Sequence, residues 1–489
     1  QLPPARRRRA NGDIDDGGRP RVGFISTRGA APVLDFPETV LAGLASDGGL
    51  YVPDSWPRLD PATIGAFAGA PFERVAERVV GAFSGGDPDA ATTARLVGEA
   101  MATFRHPARA PLVQIGPNLF LLELFHGPTL AFKDVAMQFL ARLIDHLLCR
   151  AGRRATVIAA TSGDTGAAAA DAFRGRAAVD MVILFPNGRV SPVQRRQMTT
   201  IPDRNVHAIA IDGTFDDCQR IVKALFADRA FRDEVAMTGV NSINLARIVA
   251  QVTYYLTAAV SLGAPHRPVA FSVPTGNFGD ILAGDAARRM GLPVGPLVIA
   301  TNENDILART LATGEYRTGA VRPTSSPSMD IQVASNFERL LFELVGRDAA
   351  AVRAMMADLS ASGAFRLPEP ALAALRRDFR AARVDEAETA ATIRRVHRET
   401  GLVVDPHTAV GVAAAVRADV PAEMPLVVLA TAHPAKFPDA VEAATGIRPA
   451  LPEPLGDLME RTERMTHLPA SVEAVAAFVR SSVRAGALA

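Results

Sequence analysis

Fifty of the 53 basic side chains are arginine, and the lysines are Lys133, Lys223 and Lys436. Arginine stays protonated in a protein, whereas a buried or electrostatically strained lysine can lose its proton and act as nucleophile or base. The few lysines are therefore open to such chemistry, or to none, and their surroundings decide. Lys133 lies in HGPTLAFKD (126–134), directly after an apolar run and at the start of a helical pattern. The positive end of a helix disfavours an ammonium there and lowers its pKa. Two other segments follow apolar runs in the same way: SGDTG (162–166) and GNFG (276–279). Glycines at a strand-to-helix junction let backbone N–H groups approach a ligand, and the helix N-terminus favours a phosphate. Taken alone, GNFG also reads as an ordinary tight turn, and Ser162 and Asp164 as helix N-caps. Taken together, a lysine after one strand, a phosphate cradle after another and no metal cluster fit pyridoxal phosphate (PLP). Neither G-x-G-x-x-G at a strand-to-helix junction nor G-x-x-x-x-G-K-S/T occurs, which argues against a nucleotide.

The elements that must position these segments are legible as apolar runs. Residues 118–125, 155–161, 180–186, 205–212, 268–275, 296–302 and 425–431 read as strands, mostly followed by helical stretches. Phe132, Ala136, Phe139, Leu140, Leu143 and Leu147 mark one face of a helix. Near-continuous apolar strands separated by helices imply an α/β fold with parallel sheets flanked by helices. Ligand sites in such sheets sit at the carboxyl ends of the strands, where the three segments fall. The chain divides into a disordered tail (1–21), an N-terminal domain (22–115), an α/β core (116–330), a helical insertion (331–405) and a C-terminal return to the core (406–489).

Composition narrows the function class. With 48% apolar and 21% charged residues, the chain is an ordinary globular protein rather than a disordered or fibrous one. A net charge of +1 supplies no field toward nucleic acid or membrane, and no apolar run reaches the ~18 residues of a membrane span. Cys149 and Cys218 provide neither a disulfide framework nor a thiolate metal site. No metal is expected, and a reducing, cytoplasmic compartment fits. Arg6 to Arg9, with Asp13, Asp15 and Asp16 close behind, read as a solvated tail and not as a secretory signal.

Eight segments resemble one enzyme family. They are FPETVLAGLASDGGLYVP (36–53), LELFHGPTLAFKD (122–134), ATSGDTG (160–166), NSINLAR (241–247), VPTGNFGD (273–280), TNENDI (301–306), SPSMDI (326–331) and ATAHPAKFP (430–438). In this order they resemble threonine synthase of the longer bacterial and fungal type, a fold type II PLP enzyme like the tryptophan synthase β subunit. The resemblance implies conversion of O-phospho-L-homoserine and water to L-threonine and phosphate. It implies that Lys133 forms the Schiff base, that Gly276, Asn277, Phe278 and Gly279 hold the PLP phosphate, and that the Thr431 hydroxyl meets the pyridine nitrogen. Ser162, Asp164 and Thr165 match the loop beside the cofactor ring and substrate carboxylate. A second anion would repel that carboxylate, so Asp164 is also read as orienting its loop. Asn241, Ser242 and Arg247 resemble the pocket for the substrate phosphate, where a guanidinium offers two-pronged donation.

The remaining candidates are less specific. Lys223 reads as solvent-facing on an amphipathic helix, whereas Lys436 is open between packing and a role beside the cofactor. His126, His407 and His433 read as structural hydrogen-bonding groups, and Trp56 as packing in the N-terminal region. Two alternatives stay open: a related PLP lyase or replacement enzyme with another nucleophile or substrate, and a non-catalytic relative that only binds ligand. Oligomeric state is not encoded in any of these signals.

Overall fold

The apolar runs pair as two sheets. In the computed structural model, which describes residues 22–239 and 242–484, the larger sheet has six strands. Their order is Phe379–Arg383, Val294–Thr301, Val269–Pro274, Leu426–Ala430, Leu119–Glu123 and Leu112–Gly116. All pairings are parallel except the last, where Leu112–Gly116 runs antiparallel to Leu119–Glu123 at the edge. The smaller sheet is wholly parallel, in the order Thr466–Pro469, Val206–Asp212, Val179–Pro186, Ala155–Ala160 and Met237–Thr238. Val179–Pro186 is buried along its whole length, and so are Val269–Pro274 and Leu426–Ala430, as covered parallel strands require.

Helix Lys133–Arg150 is more deeply placed than a one-faced pattern predicts. Almost every side chain from Lys133 to Leu148 is buried, and solvent is reached only near its end, at Cys149 and Arg150. It packs on helix Asp164–Phe173, whose Ala167, Ala168, Ala169 and Ala170 are buried and small enough for close approach. Helix Leu245–Ser261 is buried almost all round as well. One apolar core runs from the N-terminal helices Phe72–Ser84 and Ala90–Met101 through these helices into both sheets. No helix among the described residues is long and apolar enough to cross a membrane.

One expectation is modified. The stretch 331–405 is not purely helical: Phe379–Arg383 joins the larger sheet as its edge strand, and Ala364–Arg366 pairs with Glu315–Arg317. An edge strand has one strand neighbour and needs no apolar run, and here only Phe379 is buried. Residues 406–489 return to both sheets, supplying Leu426–Ala430 to the larger and Thr466–Pro469 to the smaller. The tail proposed for residues 1–21 lies outside the described residues. Trp56 packs edge-on against Phe83, and its indole N–H donates to Glu343 at 2.9 Å.

Candidate active site

The carboxyl ends of both sheets open on one cavity. It is lined by Lys133 after Leu119–Glu123, by Asp164 and Thr165 after Ala155–Ala160, by Gly276 to Asp280 after Val269–Pro274, and by Thr431 after Leu426–Ala430. Ser242, Arg247 and Gln251 close it from helix Leu245–Ser261 and the turn before it, and Ser328, Met329 and His407 from the opposite side. The segments HGPTLAFKD, SGDTG and GNFG therefore converge.

Lys133 is the first residue of its helix. Phe132 N–H donates to the Thr431 carbonyl at 2.8 Å, and His433 N–H to the Leu130 carbonyl at 3.0 Å. These two bonds fix the approach to the helix against the end of strand Leu426–Ala430. The Lys133 amine lies 3.4 Å from Asp164 Oδ2 and 3.2 Å from Ser328 Oγ. Burial pushes its pKa below the usual lysine range; Asp164 opposes this, while Lys436 and Arg247 reinforce it.

Asp164 is a held anion. Its Oδ1 pairs with Lys436 Nζ at 2.7 Å and accepts from Gln194 Nε2 at 2.9 Å. Its Oδ2 accepts from Ser328 Oγ at 3.2 Å. Burial alone would raise its pKa, but Lys436 and then Lys133 outweigh it and hold the carboxyl well below the ordinary range. Gly163 before it adopts φ +144°, and a Cβ there would meet the Gln194 side chain at 2.4 Å, so glycine is required beside this network. Ser328 is held in turn: its N–H donates to His407 Nε2 at 3.2 Å, and His407 Nδ1 donates to Asp405 Oδ2 at 2.7 Å. His407 is thus a structural group in its Nδ1–H tautomer.

The GNFG segment forms a cup at the N-terminus of helix Gly279–Arg289. Phe278 takes a left-handed conformation, φ +65°, which a non-glycine residue adopts only when its surroundings over-determine it. A Cβ on Gly276 would lie 2.4 Å from the Ser328 carbonyl oxygen, so backbone passes backbone here as only glycine allows. On the same cavity, buried Arg247 leaves Nε and Nη1 without partners, and burial pushes its pKa down to about 10. Gln251 Oε1 and Asp280 Oδ2 are also buried and unpartnered. Burial pushes the Asp280 carboxyl up to about 7, while Tyr254 and Tyr255 hydroxyls donate to its other oxygen. Buried polar atoms without partners call for an explanation, and where several face one cavity a polar ligand supplies it. A poised amine, a glycine-lined cup at a helix N-terminus and an unpaired guanidinium are the donor set that a phosphorylated aldehyde and a phosphorylated amino acid require.

Of the residues expected from sequence, Lys133, Asp164, Thr165, Ser242, Arg247, Gly276, Asn277, Phe278, Gly279 and Thr431 line this cavity. Ser162 is exposed and outside its lining. Asn241 lies outside the described residues. Ser328, Gln251 and Asp280 were not expected, although Ser328 and Asp280 fall inside two of the resembling segments. Lys436, left open by sequence, is fully buried on Asp164, and Lys223 is exposed.

Comparison with known proteins agrees with this geometry. Residues 23–101 match the threonine synthase N terminus, 104–432 the pyridoxal-phosphate dependent enzymes, and 408–479 the C-terminal threonine synthase region. A threonine synthase from Pseudomonas aeruginosa is 52% identical over 93% of this chain and 97% of its own length. The chain belongs to the threonine synthase family. The threonine synthase of Saccharomyces cerevisiae is 43% identical over 86% of this chain and 88% of its own. The crystal structure of PLP-bound threonine synthase from Brucella melitensis superposes with a TM-score of 0.93 at 57% identity, covering 95% of this chain and all of that one. Fold type II and PLP dependence follow from membership of the family.

Proposed function

We propose that this cavity converts O-phospho-L-homoserine and water to L-threonine and phosphate. The observation that carries the reading is Arg247: a buried guanidinium with two unpartnered nitrogens, facing the same cavity as the Lys133 amine. An anion with several oxygens, attached to an amino acid, is the ligand this pairing suits. When bound, PLP supplies an electron sink conjugated to the substrate α-carbon.

The chain's own residues do the rest. Lys133 would hold the cofactor through its amine, and the same amine is placed to move protons at the substrate Cα and Cβ. A lowered pKa suits it to both taking and returning a proton near neutrality. Ser328 Oγ and Asp164 hold that amine in place. Backbone N–H groups of the Gly276–Gly279 cup suit the cofactor phosphate, and Arg247 with Ser242 suits the substrate γ-phosphate that leaves. A hydroxyl at Thr431 would meet the ring nitrogen without a full negative charge and so would favour its unprotonated form. Thr165 and the backbone beside it line the cavity and would suit the substrate carboxylate. The ion pair with Lys436 gives Asp164 a structural role, which removes the repulsion expected of a free carboxylate there.

The test is direct. Purified protein with PLP and O-phospho-L-homoserine should release phosphate and L-threonine in equal amounts. Release of phosphate with a different amino-acid product would assign another replacement or elimination reaction. Binding of substrate without phosphate release would assign a non-catalytic relative.

A further inference from the structure

Lys436 is the second lysine of the site and no step above uses it. Its side chain is fully buried, its amine donates to the Thr129 carbonyl at 2.7 Å, and its shortest ionic contact is Asp164 Oδ1 at 2.7 Å. The other oxygen of the same carboxylate is 3.4 Å from the Lys133 amine. One carboxylate thus stands between two buried lysines, and the nearer of them is not the one that faces the cavity. We propose that Lys436 is a positioning residue for Lys133: by occupying Asp164 it keeps the Lys133 nitrogen free of its proton and able to react.

The electrostatics have a definite sign. One carboxylate carries one negative charge, so two ammonium groups beside it leave a net positive charge in a water-poor interior, and the nearer pair interacts more strongly. Lys436 has one further acceptor in the Thr129 carbonyl, whereas Lys133 has only the hydroxyl of Ser328. The other charged and titratable groups around Lys133 are Arg247 on helix Leu245–Ser261 and Asp280 on helix Gly279–Arg289, with His407 beyond Asp164. Around Lys436 stand Asp164 and, from helix Lys133–Arg150, Asp134 and Lys133 itself. Arg247 acts on Lys133 in the same direction as Lys436. Asp280 is mostly protonated below its pKa of about 7 and supplies little countercharge there. Asp164 is therefore the anion that decides, and Lys436 decides how much of it reaches Lys133.

This inference rests on Lys133 being the amine that carries the cofactor. Borohydride reduction and peptide mapping test that separately: a label on any other lysine sinks both readings, whatever Lys436 does. With the label on Lys133, the pH titration of the holoenzyme's visible absorbance reports protonation of the Lys133 nitrogen. Lys436→Met removes one cation and releases Asp164, and should move the midpoint up by about one pH unit or more. The acid limb of kcat/KM should move up with it. Asp164→Asn removes the anion and should move the absorbance midpoint down. Opposite shifts support the proposal. A strut would weaken folding in both variants and leave both midpoints in place, and unchanged midpoints or shifts in one common direction overturn it. If Lys436→Met fails to fold, Lys436→Gln is read in its place: an upward shift supports the proposal, and no shift or a downward one overturns it.

Discussion

Phe132 N–H donates to the carbonyl of Thr431 at 2.8 Å, joining the residue before Lys133 to the residue that follows strand Leu426–Ala430. An isolated bridge between Ala131 and Ala432 reinforces the contact. Two segments some 300 positions apart in sequence are thereby held in register, with the Lys133 amine and the Thr431 hydroxyl on the same cavity. A catalytic amine and the group opposite it need placement within a fraction of an ångström, and backbone hydrogen bonds provide that better than side-chain packing.

The first expected outcome concerns Lys133. Borohydride treatment of the yellow holoenzyme should fix the cofactor on the peptide that contains Lys133, and recovery on the Lys223 or Lys436 peptide would refute the assignment. Lys133→Ala should lower kcat by about 1000-fold or more, since no other described group combines an amine with a free path into the cavity. Steady-state phosphate release measures it.

Arg247→Ala should leave PLP binding intact and weaken use of the phosphorylated substrate. Losing the charged partner of a buried phosphate costs about 2–4 kcal/mol, roughly 30- to 1000-fold in kcat/KM. The unpartnered Nε and Nη1 mean that the empty protein loses no hydrogen bonds of those atoms. Thermal stability should therefore fall little, or rise, as a buried charge is removed. Unchanged kinetics in a PLP-loaded variant would take Arg247 out of the phosphate pocket.

Gly276→Ala tests the cup. Its Cβ would stand 2.4 Å from the Ser328 carbonyl oxygen, and backbone must shift to admit it. Overpacking of this kind costs about 1–3 kcal/mol, and the shift also disturbs Ser328, whose hydroxyl meets the Lys133 amine. PLP affinity should fall at least about tenfold by fluorescence titration. Wild-type affinity would show that the cofactor phosphate sits elsewhere.

His433 gives a pH signature. Burial first, then Arg105 and His126, push its imidazole down to about 4, below an unfolded value near 6.5. Between those values the unfolded chain binds more protons than the native one, so this residue's contribution to stability is present above about pH 6.5 and lost as pH falls toward 4. His433→Gln should flatten that part of the stability–pH curve, as read from urea denaturation at several pH values. An unaltered slope in the variant would show that the proton is taken up elsewhere.

Local signals in the sequence determined a good part of this. An apolar run ending in HGPTLAFKD places Lys133 at a helix start because both the strand and the helix are encoded by nearby residues. The Gly276–Gly279 cup is similarly local, since the turn and the helix N-terminus belong to consecutive residues. Scarcity of lysine marked Lys133 as a candidate before any neighbour was known. Tertiary structure decided what depends on distance between remote segments. Seven similar apolar strands carry no mark of which sheet they enter; pairing placed Leu426–Ala430 between Val269–Pro274 and Leu119–Glu123. Phe379–Arg383 carries no apolar run, because an edge strand does not need one, and its membership of the sheet appears only in its pairing with Val294–Thr301. From sequence Asp164 reads as a cap, a ligand-binding group or a residue that orients its loop, and the Lys436 amine 2.7 Å away makes it a held anion. Charge and burial set the chemistry of such groups, and both are properties of the packed neighbourhood: the sequence contains the two lysines and the carboxylate, and folding decides which lysine stands nearer to it.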